Sequence, residues 1–202
     1  MRMTSVVLVG GTREHAETVR DEAAAVLQPM GLRLSAEKTK IAHIDEGFDF
    51  LGFRIRRDRK RGAEKRFVYT YPSKSALAGV KGKVRTLTQR TVGRSLTVLL
   101  VQLNRTLRGW TNHFRYGVSK ATFGYLRAFT WRRVLIWLSC KHPRRNWGWL
   151  RRHYLPGRWP TEGETKLFDP SAVAVTRYRY RANRIPSPWA TLTMESAGSS
   201  TA

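Results

Sequence analysis

The sequence predicts an α+β protein: a strand–helix–strand unit and a β-hairpin, then a small three-helix bundle and an irregular C-terminal segment. Three observations predict it. Up to Tyr71 the apolar residues fall in short β-branched or aromatic runs around one helical stretch. From Ser73 they recur three and four apart. Beyond Pro143 no period is kept. These shifts divide the chain into residues 1–55, 56–72, 73–155 and 156–202.

The first strand is expected at Ser5–Val9, ended by Gly10-Gly11. Thr12 is placed to cap a helix whose N-terminal half carries Glu14, Glu17, Asp21 and Glu22. Ala16, Val19, Ala23, Val26 and Leu27 give it one apolar face, and Pro29 and Gly31 stop it. Leu32–Leu34 and Thr39–Ile44 read as further short strands around a turn at Ser35–Lys38. One helix over short strands leaves exposed edges and little core. Phe48–Ile55 reads as a half-buried strand, Asp58–Lys65 as a polar turn and Arg66–Tyr71 as its antiparallel mate. Gly52 lets another backbone approach closely.

Leu77, Val80, Val84 and Leu87 mark the first helix of the bundle. Leu96, Leu99, Leu100, Leu103, Leu107, Trp110 and Phe114 mark the second, which Gly117 ends. Ser119 is expected to cap the third, running through Phe123, Leu126, Val134 and Leu138 to a stop before Pro143. Short connections favour a compact bundle with these stripes as its core. Val173–Tyr180 alternates and suggests one more strand; Ser196–Ala202 has the composition of a disordered tail.

Charge is distributed very unevenly. Residues 1–50 hold six basic and eight acidic side chains, a net of −2, whereas residues 51–202 carry a net of +26. From Lys65 to Thr161, 97 residues contain no Asp or Glu but 21 Lys or Arg, with 15 aromatic residues among them. Unneutralised like charge opposes folding, so such a field points to a polyanionic partner. Cations contact phosphates and aromatic rings offer stacking faces to unpaired bases, which together point to nucleic acid. A solvated basic surface without a specific partner is the plainer alternative.

Several functions are disfavoured. The single Cys140 allows no internal disulfide and no multi-cysteine zinc site; its neighbours Trp137 and Leu138 suggest a buried thiol in a reducing compartment. His113, His142 and His153 lack metal-ligand spacing and suit phosphate or backbone contacts instead. Gly10-Gly11 is not followed by the Lys-Ser/Thr of a phosphate loop. No run approaches the ~20 apolar residues of a membrane span, and the N-terminus does not resemble a signal peptide. A cytoplasmic protein without a membrane partner is expected. Lacking carboxylates, the basic region by itself holds no metal pair and offers no carboxylate acid–base chemistry.

Val6-Val7-Leu8-Val9, the acidic helix, Gly31-Leu32-Arg33-Leu34-Ser35-Ala36-Glu37-Lys38-Thr39-Lys40 and Phe48-Asp49-Phe50-Leu51-Gly52-Phe53 follow one another in order. This order resembles the late palm of bacterial group II intron reverse transcriptases. Leu103-Asn104-Arg105-Thr106-Leu107-Arg108-Gly109-Trp110 with Phe114-Arg115-Tyr116-Gly117 resembles their maturase-specific domain, also called domain X or the thumb. Arg177-Tyr178-Arg179-Tyr180 and Ile185-Pro186-Ser187-Pro188-Trp189 are similar to the family's C-terminal ends.

The resemblance implies a palm remnant over 1–55, a hairpin connection over 56–72 and a maturase-specific domain over 73–155. It also implies binding of intron RNA, and of a template–primer duplex, by a chain that assists splicing. The matching positions are Lys81, Lys83, Arg105, Arg108, Asn112, Arg115, Lys120, Arg127, Arg132 and Arg133. Phe50-Leu51-Gly52-Phe53 corresponds to the ribbon that supports a primer end. Lys38 corresponds to a palm lysine near the incoming nucleotide, a role that lapses without metal-binding aspartates and leaves a solvated turn lysine.

The departure from the family lies at Met1-Arg2-Met3-Thr4, where its Tyr-Ala-Asp-Asp turn binds two catalytic Mg²⁺ ions; no Asp precedes Asp21. Two-metal transfer needs carboxylates that hold the ions about 4 Å apart. The expectation is therefore a truncated maturase fragment with no cofactor and no polymerase activity alone. The alternatives are a polymerase whose fingers and palm are supplied in trans or by an upstream reading frame, and a non-functional mobile-element remnant.

Overall fold

The computed structural model describes residues 5–60, 62, 64–89 and 93–176. Met1–Thr4, Arg177–Tyr180, Ile185–Trp189 and the tail Ser196–Ala202 lie outside the described residues. The architecture is α+β. Helix α1 spans Arg13–Leu27 and is followed by a 3₁₀ turn, Gln28–Met30. Strands β1 (Phe48–Phe50), β2 (Phe53–Arg59) and β3 (Arg66–Pro72) form an antiparallel meander. Helices α2 (Lys74–Leu87), α3 (Leu96–Phe114), α4 (Lys120–Lys141) and α5 (Trp147–Tyr154) come next. A 3₁₀ turn at Pro156–Arg158, the small ribbon β4 (Thr161–Glu162) and β5 (Thr165–Lys166), and a 3₁₀ turn at Pro170–Ala172 complete the described chain.

The N-terminal segment forms only its helix. The Thr12 N–H donates to His15 Nδ1 at 3.2 Å at the start of α1, and Gly31, at φ 70°, ends the 3₁₀ turn after it. The expected strands at Ser5–Val9, Leu32–Leu34 and Thr39–Ile44 are not formed. A strand exists only through a ladder of hydrogen bonds to a neighbour, and these runs form no ladder; the Arg57 N–H donates to the Ile44 carbonyl at 2.9 Å as an isolated bond. No residue of α1 is buried.

The expected strand Phe48–Ile55 is divided by a two-residue turn, Leu51 at φ 47° and Gly52 at φ 82°. Positive φ at both positions is the geometry that lets a two-residue loop follow the strand twist. Phe50 thus pairs with Phe53, and β2 pairs with β3 from Phe53↔Pro72 to Arg59↔Arg66. The loop before β1 is clipped to the sheet by Arg57, whose Nε and Nη2 donate to the Asp45 carboxylate at 2.6 and 2.9 Å. That guanidinium holds the Asp45 carboxyl below the usual carboxylate range.

Sheet and bundle meet at the C-terminal end of α3. The Ser73 N–H donates to the Gly52 carbonyl at 2.8 Å, and the Val118 N–H donates to the Thr70 carbonyl at 2.7 Å. The Phe53 ring packs on Phe114 at a centroid separation of 4.8 Å. A Cβ on Gly117 would lie 2.8 Å from the Thr70 carbonyl oxygen, so this junction has no room for a side chain.

The bundle core follows the sequence stripes. Val80 and Val84 of α2, Leu96, Leu99, Leu100, Leu103, Leu107 and Phe114 of α3, and Phe123, Leu126, Val134 and Leu138 of α4 are buried. Ser73 and Ser95 start α2 and α3 by accepting from the N–H groups of Ala76 and Val98. Ser119 acts differently from expectation: its hydroxyl donates to the Phe114 carbonyl at 2.6 Å, closing α3 rather than capping α4. Helix α5 was not foreseen. Asn146 caps it by accepting from the Trp149 N–H at 2.9 Å, and Leu150 anchors it in the core. Cys140 is exposed, not buried: Trp137 and Leu138 face the core, and the 100° step per residue carries Cys140 off that stripe. Val173–Thr176 forms no strand.

Candidate nucleic-acid interface

The side chains implied by the resemblance separate into three groups. One group is built into the packing of α2 on α4. Lys81 Nζ donates to the Tyr125 hydroxyl at 2.9 Å and lies over the Tyr125 and Phe129 rings. Arg133 Nε donates to Thr88 Oγ1 at 2.9 Å.

A second group holds the segment from Trp159 to Thr176 against the bundle. Arg127 pairs with Asp169 at 3.2 Å and lies over the Trp159 ring. Lys120 Nζ donates to the Ser171 carbonyl at 2.6 Å, and Arg108 lies over Phe168. The Arg115 carbonyl accepts from the Thr176 N–H at 3.0 Å. Asn104 completes this strap through both ends of its amide: Nδ2 donates to the Lys166 carbonyl and Oδ1 accepts from the Phe168 N–H. Glu162, the first carboxylate after the acid-free run, accepts from the N–H and hydroxyl of Thr97 at the N-terminus of α3. A negative charge there complements the helix dipole.

The third group faces outward. Lys83, Arg105, Asn112 and Arg132 are exposed, and among the described residues their side chains take part in no hydrogen bond or ion pair. Arg105 and Asn112 lie seven apart on α3 and so share one flank. Lys38 sits exposed in its turn, as a solvated lysine would. In the ribbon, Leu51 is exposed at the hairpin tip while Phe53 turns inward onto His113 and Phe114.

Sequence reasoning missed a cationic surface around α5. Arg144, Arg145, Arg151, Arg152 and Arg158 are all exposed, and no Asp or Glu lies between His142 and Thr161. Arg151, Arg152 and Arg158 line an open cleft of about 680 Å³ together with Leu155 and Gly157. The arginine pairs at 144–145 and 151–152, set around Trp147 and Trp149, were the available signal. Beside them the His142 ring stacks on Tyr154 at 5.3 Å. Burial, with Lys141 and Arg145 nearby, pushes its pKa below the ordinary histidine value. Among the described residues no cluster of His, Cys, Asp or Glu is arranged to hold a metal ion. No described helix is long and apolar enough to cross a membrane.

The arrangement suits contact with an extended polyanion: exposed cations on several helices, neighbouring aromatic faces and almost no opposing carboxylates. Residues 77–155, from the first turn of α2 to the end of α5, match the model of the group II intron maturase-specific domain. Over 72 residues the chain is 44% identical to Protein YkfC of Escherichia coli (strain K12), an alignment covering 35% of this chain and 19% of that protein. The chain thus spans about a fifth of the length of this curated relative. The likeness to the group II intron maturase-specific domain thus rests on residues 77–155, the helical part of the chain.

Proposed function

We propose that the chain binds structured group II intron RNA through the outward cations of its helical bundle and assists splicing of that RNA. One observation carries this reading: on the family-matched segment 77–155, which lacks any carboxylate, Lys83, Arg105 and Arg132 are exposed and unneutralised. The proposal assigns no nucleotidyl transfer and no Mg²⁺ to this chain, because residues 1–4, where the family carries its aspartates, hold no carboxylate. Filter binding of a transcribed group II intron, compared with polyuridine of equal length, tests it. With about four phosphates contacted, affinity should fall roughly a hundredfold between about 50 and 200 mM salt. Salt-independent binding, or no preference over polyuridine, overturns it.

A second reading is favoured by α1, an amphipathic helix with no buried residue. In it, the chain is one part of an RNA-directed DNA polymerase whose fingers and remaining palm cover α1 and bring the metal-binding aspartates, with a template–primer duplex as further partner. Primer extension with the family's fingers and palm added in trans separates the two: Mg²⁺-dependent synthesis by the mixture supports the second reading, and its absence leaves the first. Synthesis by the purified chain alone would contradict both.

A further inference from the structure

We propose that Arg151, Arg152 and Arg158 form an RNA phosphate clamp at the α5 corner, beside the bundle surface; the proposal rests on the RNA-binding reading above and names a further site for it. The backbone supplies the argument. Arg158 stands at φ 64°, directly after Gly157 at φ 62°. A left-handed conformation strains a side chain that carries a Cβ, and a glycine would occupy it freely. The strain is maintained by the fold: the Arg158 N–H donates to the Leu155 carbonyl at 2.9 Å, and its carbonyl accepts from Trp131 Nε1 at 3.2 Å. Backbone strain held in place by surrounding structure is concentrated at functional positions.

The chemistry of the cleft agrees. Arg158 lines the same open cleft as Arg151 and Arg152, and among the described residues none of the three forms an ion pair. Cations in the last turn of a helix complement its dipole, which accounts for Arg151 and Arg152. It does not account for Arg158, which lies beyond the helix. Three fork-shaped donors around one open cleft match the oxygens of a phosphodiester, and no carboxylate within residues 142–161 competes for them.

Arg158→Gly separates binding from folding, because glycine takes the left-handed turn without strain while the exposed side chain and its guanidinium are removed. With a transcribed group II intron as the probe, this variant should bind at least threefold more weakly and melt no lower than the parent. The pair Arg151→Gln/Arg152→Gln should weaken binding about tenfold and lower the salt slope by about 0.7 to 0.9 for each phosphate lost. If both variants bind like the parent while Arg105→Gln binds more weakly, the clamp is wrong and the RNA reading stands. If the parent itself shows no salt-dependent binding, the RNA reading falls and the clamp falls with it.

Discussion

The N-terminal segment and the helical bundle are both amphipathic in sequence, yet only the bundle buries its apolar face. In α1, Val26 is 67% exposed, and the flanking Val7 and Leu8 are 65% and 79% exposed. In α3, Leu100, Leu103 and Leu107 are fully buried. The difference lies in the partners. Helix α3 has α2, α4 and the returning C-terminal strap against it, while the runs around α1 have no sheet to join. An apolar stripe states a demand for a neighbour, and the energy appears only where the chain supplies one.

Truncations should show the contrast most clearly. Leu103→Ala should cost about 3 kcal/mol in urea unfolding, from lost transfer energy and a residual cavity. Val26→Ala on α1 should change stability by no more than about 0.5 kcal/mol. Equal effects at the two positions would show that α1 is packed after all. The junction between sheet and bundle comes next. Gly117→Ala drives a Cβ against the Thr70 carbonyl and should cost about 1–3 kcal/mol. The same substitution at Gly79 or Gly82, where nothing lies within 4 Å, should be neutral or slightly stabilising.

Capping is worth less. Ser73→Ala removes the acceptor for the Ala76 N–H in a buried position and should cost about 1 kcal/mol. A pH effect is expected near α5. Burial and the neighbouring Lys141 and Arg145 hold the folded pKa of His142 below its unfolded value of about 6.5. The unfolded chain binds the proton more readily, so stability is full above about pH 6.5. It declines as pH falls toward the folded pKa and levels off below it. His142→Gln should flatten this part of a pH–stability profile; an unchanged profile would assign the titration elsewhere. The smallest effect belongs to Asp45→Asn. Its half-exposed pairing with Arg57 should contribute little, and that contribution should shrink in high salt.

Legibility followed the same physics. The α+β class and helices α2 to α4 were readable because a long stripe of period three to four has few other solutions. Helix α5 was hidden: eight residues between Pro143 and Pro156, opening on Trp-Gly-Trp, are too few to show a period. The strands at 5–9, 32–34 and 39–44 were read from propensity, which pairing overrode. The Leu51-Gly52 turn escaped because Leu is an uncommon residue at positive φ. The family resemblance of the helical region was also readable, from the ordered motif around Leu103–Trp110, which lies inside the matched segment.

The cations show where sequence reasoning stops. By itself the sequence determined that this region carries a strong positive field, since charge follows from composition and needs no fold. It also determined which residues enter the helical core, because the helix period places them on one face. Only the tertiary structure decided which cations stay available. Arg127 is taken by Asp169, 42 positions later, and Lys120 by the Ser171 carbonyl, while Arg105 and Arg158 keep open surroundings. A long side chain selects its partner among groups brought near by the fold, and those groups lie far away in sequence.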